Sequence, residues 1–221
     1  MWLKNIKILI VFLVLPAIMG STECSFVANS DTRSSDEENR NGLVIIIQDG
    51  QLVDGPVEGV RFESGALSGI TGPNGEFRFE EGNTVAFFIG DIALGSPVPG
   101  KSRITPLDLV PGGDMNTPAV INIARLLQSL DAVAADDRIT IPAQVHALAQ
   151  RSSSALGASI DALDFADDML FVNAASQLVA TLTQDYDFTA VLVDAATARR
   201  HLENSLNQAD SITVRARVPA R

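Results

Sequence analysis

Between residues 42 and 95 the chain is built of short β-branched and aromatic runs separated by glycine turns, and several runs place an apolar side chain at every second position. That spacing restricts the region to half-buried strands, because only an extended chain alternates its side chains between two faces. "GLVIIIQDG" (42–50) is an apolar run closed by the turn signal Asp49-Gly50. In "GPVEGVRFES" (55–64), Val60 and Phe62 share one face while Arg61 and Glu63 take the other. In "EFRFEEG", Phe77 and Phe79 alternate with Glu76, Arg78 and Glu80, and "NTVAFFIGDIALG" (83–95) is a further strand-forming run. Gly72-Pro73-Asn74-Gly75 separates two of these runs. Proline presets φ, and Asn and Gly tolerate positive φ, so the segment predicts a hairpin turn rather than a binding loop.

The residues "DGPVEGVRFES…SGITGPNGEFRFEEGNTVAF" resemble the transthyretin-like, carboxypeptidase-regulatory-like β-sandwich modules of exported bacterial proteins. In those modules a V-x-G-V strand precedes a G-x-T-x-x-x-G-x-F-x-F hairpin. Here the pattern falls on Val57, Gly59, Val60, Gly69, Thr71, Gly75, Phe77 and Phe79, within about residues 42 to 110. The resemblance implies an antiparallel sandwich with a spacing, folding or adhesion role, and it transfers no catalytic residue. The longer order of "GDIALG", "TPLDLV" and "NIARLLQSLD" is also similar to that of uncharacterised exported or lipid-anchored proteins of Gram-negative bacteria.

Past "PGGDMNTPAV" the period changes. Thr117-Pro118 forms a helix start, with a hydroxyl at the N-cap and proline in the first turn. Val120, Ile123, Leu127 and Leu130 follow at helical spacing with Leu126 beside them, and Arg125 and Gln128 fall on the opposite face. Further helices are expected from Pro142 to about Gln150, from Asp168 to Leu182 and from Thr189 to Leu206, with "RSSSALGAS" (151–159) as a small-residue linker. "SITVRARV" (211–218) returns to alternation and predicts a last edge strand. The expected fold is therefore α+β: a sandwich over 42–115, then a region of about four helices with a C-terminal strand over 116–221.

The start, "MWLKNIKILIVFLVLPAIMGSTEC", has Lys4 and Lys7 ahead of an apolar run from Ile8 to Leu15, then small residues. That is the order of a secretory signal over residues 1–24, and the run is short for a bilayer span. Cys24, the only cysteine, stands where bacterial lipoproteins carry their lipid. A lipobox wants a small residue before the cysteine, and Glu23 holds that place, so cleavage after Gly20 is the rival route. The resulting expectation is an exported protein, either free in the periplasm or held at the outer membrane or cell surface by a lipid on Cys24. One cysteine permits no internal disulfide, so the fold must stand on its core. Residues 25–41, "SFVANSDTRSSDEENRN", are polar and predict a flexible tether.

Acidic residues outnumber basic ones 27 to 16, for a net charge of −11, with no basic patch of the kind that nucleic acid requires. Aromatics are 5% of the chain, and its one tryptophan, Trp2, lies in the leader. The two histidines, His146 and His201, stand in no zinc-ligand spacing and read as partly buried helix residues. The sequence contains no G-x-S-x-G elbow or dinucleotide fingerprint. Asp131, Asp136 and Asp137 follow the first helix, and other acids cluster at Asp161, Asp164, Asp167 and Asp168 and at Asp185 and Asp187. None matches a calcium-loop pattern, and helix N-terminal acids and solvated loops explain most of them. Should calcium bind, Asp131, Asp136 and Asp137 are its expected ligands. These features point to a non-catalytic interaction or structural protein with an envelope protein or surface ligand as partner. The alternative is a small-ligand or calcium-binding exported protein.

Overall fold

The computed structural model describes residues 38–40, 43–133, 136–152 and 156–217 of the chain. The leader, Cys24 and most of the expected tether lie outside the described residues. The tether's last part does not stay free: β1 (Glu38–Arg40) pairs antiparallel with β2 (Leu43–Ile45).

Nine strands follow in the first half. They are β3 (Ile47–Leu52), β4 (Val57–Glu58), β5 (Arg61–Ser64), β6 (Leu67–Ile70), β7 (Glu76–Glu80), β8 (Thr84–Ile89), β9 (Ile92–Ala93), β10 (Val98–Pro99) and β11 (Arg103–Ile104). One sheet runs β10-β8-β5-β6, with β9 added to β8. A second sheet runs β11-β3-β7, with β11 parallel to β3 and β7 antiparallel to it. The alternation of the sequence is realised: Phe77 and Phe79 are buried while Glu76 and Arg78 are exposed, and Val85, Phe87 and Ile89 turn inward from β8. Phe77 of the smaller sheet meets Phe62 and Phe87 of the larger, at ring-centroid distances of 6.0 and 5.2 Å. Such tilted and edge-on contacts add to the area each ring removes from water.

The turn at residues 72–75 differs from its expectation. Gly75 donates its N–H to the Gly72 carbonyl at 2.8 Å, so the predicted turn forms. Yet β6 before it pairs with β5, and β7 after it pairs with β3. The turn therefore carries the chain from one sheet to the other instead of closing a hairpin. Local turn chemistry is blind to which neighbour each strand finds. Gly75 sits at φ 77°, and a Cβ there would lie 2.4 Å from the Leu52 carbonyl. Leu52 in turn donates its N–H to the Gly75 carbonyl at 2.8 Å.

Thr71, the threonine of the motif, closes the corner between β4 and β5. Its hydroxyl donates to the Val57 carbonyl at 2.7 Å and accepts from the Val60 N–H at 2.9 Å. Its main chain adds the Gly59 N–H to Thr71 carbonyl bond and the Thr71 N–H to Val60 carbonyl bond.

The second half holds α1 (Pro118–Ser129), β12 (Ile139–Thr140), α2 (Ala143–Leu148), α3 (Gly157–Asp161), α4 (Asp168–Leu182) and α5 (Ala195–Arg217). The architecture is mixed α+β with five helices among the described residues, one more than expected, because part of the anticipated small-residue linker coils as α3. β12 pairs in parallel with β4, so the helical half returns a strand to the strand-rich half.

Two expectations are overturned. The first concerns the C-terminal strand. Residues 211–217 continue α5 as helix, and among the described residues they pair with no strand. A strand needs a free sheet edge, whereas each residue added to an existing helix gains a hydrogen bond in place. Asp194 starts that helix, accepting from the N–H groups of Ala196 and Thr197 at 3.0 Å each. The second concerns the polar face assigned to Arg125. That residue is buried, as is most of α1. Its guanidinium donates to the Val193 carbonyl at 2.8 Å and to Asn122 and Asp168 at 3.0 Å each, and lies over the Phe171 ring. A guanidinium with these partners is tolerated inside.

Candidate functional site

The polar groups that converge where the two halves meet come from three separate elements. Asp54 lies in the corner between β3 and β4, and its side chain is fully buried. One carboxylate oxygen, Oδ2, accepts from Nε2 of Gln128 on α1 at 2.9 Å. The other, Oδ1, has no hydrogen-bond partner among the described residues. His201 of α5 places Nε2 2.9 Å from the Asp54 carbonyl and 3.9 Å from Oδ1. Since a carbonyl only accepts, Nε2 carries the hydrogen, and the ring has no acceptor to offer the carboxylate there. Burial pushes the Asp54 carboxyl up to about 6, against smaller lowering effects from the Gln128 hydrogen bond and the His201 charge.

The loop after α1 lies beside this group. The main-chain carbonyl of Asp137 packs against Gly55, and the N–H of Ile139 donates to the Pro56 carbonyl at 2.9 Å. Next to the junction is a pocket of about 300 Å³ lined in part by Val53, Gly55, Asn74 and Ser205. A wider groove of about 470 Å³ lies between Leu109, Ile123 and Phe165. A third depression, also of about 300 Å³, is bordered by Tyr186 and Phe188. The Tyr186 hydroxyl donates to the Leu130 carbonyl at 2.7 Å, and burial, helped by the charge of Asp131, pushes it up to about 12.

Two of the three expected calcium ligands, Asp131 and Asp136, accept main-chain hydrogen bonds. Asp131 Oδ1 accepts from the N–H groups of Val133 and Thr140 at 3.1 and 2.9 Å, and Asp136 Oδ1 accepts from the Arg138 N–H at 3.0 Å. Among the described residues, no three His, Cys, Asp or Glu side chains gather closely enough to hold a metal ion. Asp167 caps α4 through the N–H groups of Met169 and Leu170.

His146 clips α2 to the strands, with Nε2 2.5 Å from the Gly59 carbonyl and Nδ1 accepting from the Gly90 N–H at 3.0 Å. Asp54 has no counterpart among the sequence candidates. As Asp54-Gly55 it is indistinguishable from an exposed turn, and 147 residues separate it from His201.

Over 105 residues the chain is 35% identical to a protein of Escherichia coli (strain K12) named "Putative lipoprotein AcfD homolog", a match covering 46% of this chain and 7% of that protein. A protein of Escherichia coli O78:H11 (strain H10407 / ETEC) named "Putative lipoprotein YghJ" is 34% identical over 105 residues, again 46% of this chain and 7% of its own length. The match thus spans a small fraction of either relative. No family model matches the chain, and no solved structure matches it. No helix among the described residues is long and apolar enough to cross a membrane.

Proposed function

We propose that this chain is a non-catalytic, exported protein of a Gram-negative cell envelope, anchored by a lipid on Cys24, whose strand-rich half is a transthyretin-like interaction module. The similarity to two proteins named as lipoproteins carries the reading. The basic and apolar leader ending at the single cysteine supports it from the sequence side. The module assignment rests on what the motif residues do. Thr71 ties the corner at Gly59, Gly75 makes the crossing turn, and Phe77 and Phe79 enter the core between two sheets. These motif positions thus have construction roles, and the surface is left to carry the interaction. The partner class is an envelope protein or a surface ligand.

The test is the intact mass of the mature protein, purified separately from membrane and soluble fractions of its host. A membrane species that begins at Cys24 and carries acyl mass supports the anchor, and crosslinking to envelope neighbours then identifies the partner. An unmodified soluble species that begins near Ser21 refutes the anchor.

A further inference from the structure

The helix α5 is attached differently from the rest of the fold. The main core runs from Leu52 of β3 to Leu182 of α4, and among the described residues none of its buried members comes from α5. That helix contributes Ala198 and Leu202 to a second, smaller cluster shared with Val120 and Ala124 of α1. The other attachments are polar. Gln128 Nε2 donates to the Ala198 carbonyl at 3.3 Å, Arg199 donates to the Met115 carbonyl, and His201 bonds to the Asp54 carbonyl. An element outside the main core, held by one small apolar cluster, is the kind that opens locally while the core stays folded.

Asp54 sits under this attachment with one buried oxygen unpartnered. The charged and titratable groups around it are few. His201 reaches it from α5, and α1 presents the uncharged Gln128. From the loop after α1, the main-chain carbonyl of Asp137 packs against Gly55, and Arg138 is turned to Glu58 at 3.5 Å. Asn74, across the neighbouring pocket, is bonded to Glu76. Cationic compensation for an Asp54 carboxylate therefore comes from His201, at 3.9 Å and outside hydrogen-bond range.

We infer that α5 is held by a proton-operated latch: a protonated Asp54 keeps the helix docked on α1, and ionisation of Asp54 loosens it while the main core remains intact. A neutral carboxyl suits a dry site with an unpartnered oxygen, whereas a carboxylate there lacks solvation that undocking restores. The direction follows from the carboxyl's shift. Its proton is held up to about 6 when docked, against 3.8 for the free group. Docking is therefore strongest below 3.8, weakens as pH rises, and levels off once pH has passed about 6. Between those limits the docking constant falls up to about tenfold per pH unit, about a hundredfold in all.

Hydrogen exchange of the full mature chain, divided by intrinsic rates and followed at about pH 5 and about pH 8, reads the latch directly. Protection of residues 195–206 is expected to fall by about tenfold between these two values, the part of the range that lies above pH 5, while peptides from β5 and β8 keep theirs. Asp54→Asn is expected to abolish the α5 response. His201→Gln keeps an N–H for the Asp54 carbonyl and is expected to retain the response with the same direction. An α5 that tracks β5 and β8 at both pH values overturns the proposal, as does a response that survives Asp54→Asn. If Asp54→Asn does not fold, His201→Gln decides, since loss of the response there makes the imidazole the sensor and refutes the carboxyl.

Discussion

Replacing Thr71 by valine keeps the shape of a buried side chain and removes its hydroxyl. The hydroxyl serves two main-chain groups at once, donating to the Val57 carbonyl at 2.7 Å and satisfying the Val60 N–H at 2.9 Å. Thr71 is 2% exposed, and Val57 and Val60 are fully buried, so water is not at hand to replace what is lost. A buried group left without its partner costs about 1–3 kcal/mol. Two such groups, one a donor and one an acceptor, put Thr71→Val at about 2–4 kcal/mol after some local relaxation. Thr71→Ser retains both hydrogen bonds and loses one methyl, which costs about 1 kcal/mol. Urea unfolding measures both variants, with a lower midpoint and an unchanged slope as the expected signature. A Thr71→Val protein within about 0.5 kcal/mol of the parent refutes the argument that the hydroxyl closes this corner. So does a Thr71→Ser protein as unstable as the valine variant, which would assign the effect to packing.

Three further outcomes follow from the same geometry. Gly75→Ala meets both positive φ and the Leu52 carbonyl at 2.4 Å, whereas Gly82→Ala meets positive φ with open space around it. Denaturant unfolding should therefore show a loss of about 1 kcal/mol for Gly82→Ala and at least twice that for Gly75→Ala. Arg125→Leu leaves the Val193 carbonyl and Asn122 without their donor and is expected to lose about 3 kcal/mol. Asp168→Asn is expected to lose less than about 1 kcal/mol in the same assay, because the Asp168 side chain is 66% exposed and solvent screens its share of the pair. Calcium up to about 10 mM is expected to leave the melting temperature unchanged, since Asp131 and Asp136 already serve main-chain N–H groups. A rise of several degrees by scanning calorimetry would support the calcium site.

What could be read from the sequence was what depends on neighbours along the chain. Alternation at Phe77 and Phe79 announces a half-buried strand because a strand's two faces are set by its own backbone. Thr117-Pro118 and the spacing from Val120 to Leu130 announce α1 for the same kind of reason, and α4 over Asp168–Leu182 coincides with its expected span. The tertiary structure decided everything that depends on who meets whom. Strands on either side of the turn at Gly75 enter different sheets, because pairing is chosen by the partner strands and not by the turn. Arg125 goes inside because Val193, Asn122 and Asp168 converge on it from 3 to 68 positions away. Residues 211–217 stay helical because a helix carries its own hydrogen-bond partners, while a strand must find them elsewhere. The junction at Asp54 is the extreme case. An Asp-Gly pair, a glutamine and a helix histidine have no local signature in common, and only the docking of α5 places the imidazole beside the carboxyl that Gln128 holds.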